Sequence, residues 1–392
     1  MRTFGKWLGR TILLGILAGA VYFFGFLPAQ VEKSRNAVVG DGPYPVSETA
    51  QELHMTLTVG DWHADSLLWS RDITQRGDRG QVDIPRLQEG NVALQVFTAV
   101  TKSPAGQNYD RNSADAFDNI TPLAIGQLWP MRTWTSLAER AIFQADKLRE
   151  AELAAPDDLM IIESREDLEA VLTARAEGSK VVGAILGIEG AHALEGDLAN
   201  LDRLEEAGHR LIGLHHFFDN ALGGSLHGQG NQGLTEFGRA VVAEVERRGM
   251  VLDLAHSSPR VAEEVVALTD MPLVVSHSGL HGHCPVKRNL PDALMQRIVA
   301  SGGTVGMGYW ADVTCGDISP AGIATMIAKA VDTLGEDHVS LGSDYDGSVA
   351  TAFDTSELAA LTSALLDKGL TETQIRKVMG QNMIRVLRAR LN

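Results

Sequence analysis

Eight short, largely apolar runs recur along the chain, with longer helix-like stretches between them. They are 57–62 (LTVGDW), 92–98 (VALQVFT), 181–188 (VVGAILGI), 210–215 (RLIGLH), 250–255 (MVLDLA), 272–276 (PLVVS), 303–309 (GTVGMGY) and 338–343 (HVSLGS). Strands apolar on both faces need cover on both faces, and helices between consecutive strands supply it in a parallel sheet. Eight such units over about 340 residues predict an α/β fold, a (β/α)8 TIM barrel with insertions. A doubly wound open sheet is the alternative, but no G-x-G-x-x-G follows any run, so a dinucleotide-binding version lacks its usual support. The second unit is stretched: residues 99–130 form a long polar connection before a helix expected around 133–152. Long loops at the strand C-termini of a barrel usually shape the active site.

The N-terminus has a different character. Arg2, Lys6 and Arg10 precede a charge-free, mostly apolar stretch from Thr11 to Val31, which fits one membrane-spanning helix with its N-terminus in the cytoplasm. A cleaved signal peptide competes with this reading, but a cut after Ala29 would place Leu27 where a small residue is wanted. Either way the remainder is delivered across the membrane, in a bacterial cell into the periplasm. The expected organisation is an anchor or signal segment at 1–31, a polar, Gly/Pro-punctuated tether at 32–52, and a catalytic domain at 53–392. Asp and Glu number 50 against 34 Lys and Arg, a net charge of −16 that repels phosphate backbones and excludes a nucleic-acid partner. The two cysteines, Cys284 and Cys315, exclude a cysteine zinc cluster; in an exported chain they form one disulfide or remain free thiols.

Acids and histidines stand at the ends of the runs: His63 and Asp65 after the first, Glu189 after the third, His215 and His216 after the fourth, His256 after the fifth, His277 after the sixth and Asp344 after the eighth. A lone histidine at such a place is more often packed than ligating, so recurrence at equivalent positions carries the inference. In a barrel these ends converge on one face. His63 and Asp65, at i and i+2 of a strand, reach one ion together; His256 and His277 from neighbouring strands hold a second; and Glu189 bridges the two. The mixed nitrogen and oxygen donors suit zinc. Two ions about 3.5–4 Å apart activate a shared water for amide hydrolysis.

The strings DWHAD (61–65), VDIPRLQEG (82–90), GIEGAHAL (187–194), GLTEFGRAVV (233–242), DLAHSS (253–258), VVSHS (274–278), KRNLPD (287–292) and GSDYDG (342–347) resemble the membrane (renal) dipeptidase family, peptidase family M19 of the amidohydrolase superfamily, over about residues 53–390. The resemblance implies a zinc-dependent dipeptidase with two Zn2+ per subunit, which cleaves dipeptides, including some with a C-terminal D-residue, by a hydroxide bridging the metals. Carried over residue by residue, it makes His63 and Asp65 ligands of one zinc, His256 and His277 ligands of the other, and Glu189 the bridge. It makes His216, rather than His215, the histidine that contacts substrate and steadies the oxyanion. Arg288 becomes the residue that binds the substrate's terminal carboxylate, and Asp344 the one that moves the proton. A Cys284–Cys315 disulfide and a homodimer are further implications.

Two segments depart from the family pattern. In His63-Ala64-Asp65-Ser66-Leu67-Leu68-Trp69 the tryptophan is displaced by one position, and His216-Phe217-Phe218-Asp219-Asn220 differs after the fourth strand. Both line the expected pocket, so they bear on side-chain preference rather than on the chemistry. The alternatives are a related binuclear amidohydrolase acting on N-acyl amino acids or other small amides, and a non-catalytic binding protein on a retired barrel. Retention of every ligand-type residue argues against the latter.

Overall fold

The structure, a computed structural model, describes residues 2–392. Nine strands form one parallel sheet: β1 (Val59–Ala64), β2 (Val92–Val100), β3 (Leu159–Ile161), β4 (Val182–Glu189), β5 (His209–Gly213), β6 (Val251–Asp253), β7 (Val274–Ser278), β8 (Thr304–Met307) and β9 (Val339–Leu341). Eight of them close a barrel in the order β1-β2-β4-β5-β6-β7-β8-β9, with β9 returning to β1. This is the expected (β/α)8 architecture. The ninth, β3, pairs with the start of β4 (Leu159–Ile161 against Val182–Ala184), ahead of the point where β5 joins at Leu186. Three residues between two helices carry no periodic signature, and β3 has no counterpart among the eight expected runs.

All eight residues of β4 are buried, as a strand covered on both faces must be. The helices pack outside, and their starts are fixed by side-chain caps: Thr235 accepts from the Gly238 N–H, Ser258 from Val261 and Ser319 from Gly322. These caps keep the barrel loops short. β6 ends at Asp253 and the next helix starts at Pro259, so His256 sits in a loop limited to 254–258. Inside the barrel the backbones of β7 and of the chain following β9 come close, since a Cβ on Gly342 would lie 1.9 Å from the Ser276 carbonyl oxygen. Glycine is required there by contact, and its absence of a side chain lets Ser276 occupy the middle of the barrel.

The N-terminal region differs from expectation in two ways. Helix α1 (Arg2–Gly25) stops before Val31, and α2 (Leu27–Arg35) begins again with Pro28 in its first turn. Proline has no N–H to extend the preceding helix but is well suited to starting one. The apolar span is Lys6–Gly25, 20 residues with a mean hydropathy of 1.6. The stretch 32–52, expected to be a tether, lies against the barrel. Val39 N–H donates to the Thr351 carbonyl, Thr351 N–H donates back to Ala37, and Ser47 caps a helix at Glu48–Met55. The connection 99–130 is also more ordered than its polarity suggests: β2 runs to Val100 and a helix occupies Ile120–Gly126. The helix expected around 133–152 spans Leu137–Ala154.

Candidate metal centre

All the strand-end residues singled out above except His215 meet at the C-terminal mouth of the barrel. His63 lies in β1 and Asp65 just beyond it; Glu189 is the last residue of β4; His277 lies in β7; His216, His256 and Asp344 sit in the loops after β5, β6 and β9. His256 and Asp344 both have φ of +60°, a left-handed backbone that non-glycine residues adopt only where their surroundings hold them. The His256 carbonyl, for example, accepts from the Leu226 N–H at 2.7 Å.

Glu189 is the centre of the cluster. Its Oε1 lies 3.2 Å from His256 Nε2, 3.4 Å from His277 Nε2 and 3.6 Å from His63 Nε2, while its Oε2 lies 3.1 Å from His216 Nε2. His63 Nε2 is 3.5 Å from Asp65 Oδ1 and 3.8 Å from Asp344 Oδ1, and the His256 and His277 Nε2 atoms are 2.9 Å apart. Three sets have all their donor atoms within 4.8 Å of one another: His63, Glu189 and His277; Glu189, His216 and His256; His63, Asp65 and Asp344. Glu189 belongs to two of them. By distance alone, His216 and Asp344 are as close as the five expected ligands.

Hydrogen bonding from behind fixes which nitrogens face the cluster. The Ser276 hydroxyl donates to Asp253 Oδ2 at 2.6 Å, so toward His277 Nδ1 (2.8 Å) and His63 Nδ1 (3.3 Å) it has only lone pairs to offer. Both rings therefore keep a proton on Nδ1 and turn Nε2 toward the cluster. Imidazole Nε2 atoms and carboxylate oxygens converging at these distances need protons or cations between them, and the donor set fits divalent ions.

The electrostatics agree. Burial, followed by Asp65, raises the Glu189 carboxyl well above its usual range, and burial raises Asp344 to about 8. Burial opposes protonation of His63, but Asp65, Glu189 and Asp344 outweigh it and lift the imidazole to about 10. Burial holds His256 and His277 well below their ordinary value and His216 at about 4. Without ions the cluster limits its negative charge by holding protons, on His63 and on the Glu189 and Asp344 carboxyls, and divalent cations would take the place of those protons.

Arg288 lies at the edge of the cluster, 2% exposed. One Nη2 donates to the His277 carbonyl at 2.6 Å, the guanidinium lies 5.6 Å over the Trp310 ring, and Nε has no partner. A buried guanidinium with a free donor is suited to an anionic ligand. Above it the loop after β2 crosses the mouth. Trp310 Nε1 donates to the Tyr109 hydroxyl at 2.9 Å, Tyr109 packs on Phe217, and Phe217 packs on His256. Tyr109, Phe217 and Trp310 line a cavity of about 360 Å³. A larger cavity of about 570 Å³, between Asp110, Gln229 and Lys287, has none of the cluster's side chains in its wall.

His215 turns away, its Nδ1 3.1 Å from the Ser257 hydroxyl. His192 contacts Thr101, and His227 stacks on Phe217 while its Nδ1 meets the Tyr109 carbonyl. Cys284 and Cys315 are joined, tying the loop after β7 to the loop after β8. Sequence reasoning passed over Ser276, Asp253 and Thr98, the last of which donates to Asp65 Oδ1. Only their place behind the ligands marks them.

Residues 47–391 match the family described as membrane dipeptidase (peptidase family M19). Dipeptidase aclJ of Aspergillus oryzae is 30% identical over 356 residues, covering 83% of this chain and 76% of its own length; dipeptidase tcpJ of Claviceps purpurea is 26% identical, with 86% and 74% covered. Among solved structures, a family M19 metallopeptidase described as dipeptidase AC superposes with a TM-score of 0.70 at 28% identity, covering 86% of this chain and 99% of the other. A metallopeptidase from Rhodobacter sphaeroides, liganded with a phosphinate mimic of the dipeptide L-Ala-D-Ala, superposes with a TM-score of 0.69 at 27% identity and the same coverage.

Proposed function

The chain belongs to the membrane dipeptidase family, peptidase family M19, and is a metallodipeptidase; from that premise we propose that it hydrolyses dipeptides with two zinc ions per subunit. The substrate range includes dipeptides ending in a D-residue, which the L-Ala-D-Ala mimic held by the Rhodobacter relative supports. The observation that carries the proposal is Glu189, whose two carboxylate oxygens reach four imidazoles at 3.1–3.6 Å.

His63 and Asp65 would hold one ion, His256 and His277 the other, and Glu189 both. Bound there, the ions supply Lewis acidity that lowers the pKa of a water and polarises the scissile carbonyl. The protein's own groups do the rest. Arg288 takes the terminal carboxylate through its unpartnered donor and sets the register of the peptide bond. His216, wedged between Glu189 and Phe217, faces the carbonyl. Asp344, buried with its Oδ1 3.8 Å from His63 Nε2, would accept the water's proton and return it to the leaving amine. Tyr109, Phe217 and Trp310 exclude bulk water, which strengthens every charge interaction beneath them.

The apolar span Lys6–Gly25, with Arg2 ahead of it and Lys6 and Arg10 within its first five residues, supports a single-pass anchor in a bacterial inner membrane with the barrel in the periplasm. The test is metal analysis of the purified protein coupled to a panel of L,L- and L,D-dipeptides and N-acetylated amino acids. Two zinc ions and a requirement for a free amino terminus are expected, and Glu189→Ala should lose both metal and turnover. Preference for the N-acetylated substrates would instead favour the amidohydrolase alternative. A Glu189→Ala protein that keeps two zinc ions and full activity would overturn the assignment.

A further inference from the structure

Glu32 lies on α2, outside the residues 47–391 that match the family, yet it is 1% exposed. Its carboxylate accepts from Arg71 Nε at 2.6 Å and from Arg79 Nε at 2.8 Å. Arg71 in turn pairs through Nη2 with Asp346 and donates through Nη1 to the Val82 carbonyl. Asp346 is fully buried and ties together the two turns that flank the catalytic cluster. Its Oδ2 accepts from the Ser66 hydroxyl at 2.6 Å, its Oδ1 from the Gln81 N–H at 2.7 Å, and its carbonyl from Trp69 Nε1 at 2.8 Å. Ser66 and Trp69 follow Asp65, and Asp346 follows Asp344 by two residues.

The loop so held is strained. Asp344, Asp346 and Ser348 have φ of 60°, 60° and 64°, three non-glycine residues in the left-handed region within five positions. Such a conformation persists only when neighbours over-determine it. A Cβ on Gly347 would lie 2.1 Å from Asp344 Oδ1, so the loop is folded tightly around the carboxylate it presents. The segment after Glu32 grips the same loop again: Asn36 Oδ1 accepts from the Ser348 N–H at 2.9 Å, and the chain at 37–39 exchanges backbone hydrogen bonds with Thr351.

We propose that Glu32 is a positioning residue for catalysis: by neutralising and aiming Arg71 it keeps Asp346, and through it the Asp344 loop, in the reactive arrangement. The charges balance locally, with Glu32 and Asp346 against Arg71 and Arg79. Without Glu32 the buried Arg71 Nε loses its acceptor and the Arg79 guanidinium stands beside it with no carboxylate between, so an orphaned donor and like-charge repulsion disturb the orientation in which Arg71 meets Asp346. The helix that continues the anchor is then part of the catalytic unit rather than a tether for it. The inference rests on the dipeptidase reading only for its assay.

The experiment compares full-length Glu32→Ala, Glu32→Gln, Glu32→Asp and Arg79→Ala proteins with the parent chain. It measures kcat, KM, metal content and thermal midpoint on whichever panel substrate the parent hydrolyses. Failure of the parent on dipeptides would sink the dipeptidase reading alone, since relative rates can still be taken on another amide. Glu32→Ala should lower kcat by about 10- to 100-fold, the usual scale for a displaced catalytic group, with KM within about twofold and metal content unchanged. Glu32→Asp should recover part of the loss. Arg79→Ala should stay within about twofold, because Arg79 pairs with Glu32 but does not touch Asp346. If Glu32→Ala fails to fold, the isosteric Glu32→Gln decides. A lowered thermal midpoint with kcat per folded molecule unchanged overturns the proposal, and so does an equal loss of kcat in Glu32→Ala and Arg79→Ala.

Discussion

Replacing Ser276 by alanine removes one hydroxyl and, with it, the shared support of two metal-facing histidines. That oxygen stands 2.8 Å from His277 Nδ1, 3.3 Å from His63 Nδ1 and 2.6 Å from Asp253 Oδ2, all four groups being buried. Loss of a hydrogen-bond partner behind a ligating imidazole typically weakens metal affinity about 10- to 100-fold. Because one atom serves histidines that grip different ions in the assignment above, both sites should weaken, the His277 side more, since its contact is the shorter. Asp253 keeps the Ser276 and Ala255 N–H groups on Oδ1, so only Oδ2 is orphaned, at a cost of about 1–3 kcal/mol. The assay is competitive metal titration of the metal-free protein against a chromophoric chelator, followed by kcat at saturating metal. Affinity should fall for both ions while kcat at saturation stays within about tenfold. If both affinities remain within twofold of the parent, Ser276 does not orient the rings and the tautomer argument fails.

Arg288→Lys keeps the charge but loses the planar fork, so KM for dipeptides should rise by about tenfold or more with a smaller change in kcat. Dipeptide amides, which lack the carboxylate, should respond little, and an equal response would count against the assignment. His209 supplies a pH prediction. It is fully buried, and burial lowers its imidazole from the ordinary 6.5 to about 4. Between these values the unfolded chain binds a proton that the folded chain refuses. Stability from this group is thus complete above pH 6.5 and falls by up to about 3 kcal/mol as pH drops to 4. His209→Gln should flatten the decline of the thermal midpoint over that window; parallel declines would refute it.

The barrel was legible because its eight strands are buried and largely apolar, a pattern that survives errors in the strand ends. The ends themselves were less clear. β5 stops at Gly213, so His215 and His216 lie in a loop where alternation no longer says which side chain faces in. Motif resemblance, not periodicity, singled out His216, and the structure sets it against Glu189 while His215 turns to Ser257. Ser276, Asp253 and Thr98 were invisible for a different reason: a hydroxyl or acid inside a strand has no spacing rule, and its role arises only when strands distant in sequence come together. Glu32 was hidden by composition. A polar, Gly/Pro-punctuated stretch reads as linker, and nothing local reveals that its one buried acid meets arginines about 40 residues away.

The crowding of Asp65, Glu189 and Asp344 has a consequence for the life of the molecule in the cell. To take an ion, His63, Glu189 and Asp344 must give up protons that their crowded, buried setting makes them hold, so ion binding, proton release and folding share one free energy. With free metal at 100 times the dissociation constant the fold gains about 2.7 kcal/mol, and during scarcity it loses that margin. Copies that fail to acquire metal are then the ones that open and meet proteases. The abundance of the protein, and not only its turnover, becomes a gauge of metal supply, and idle molecules are cleared instead of stored.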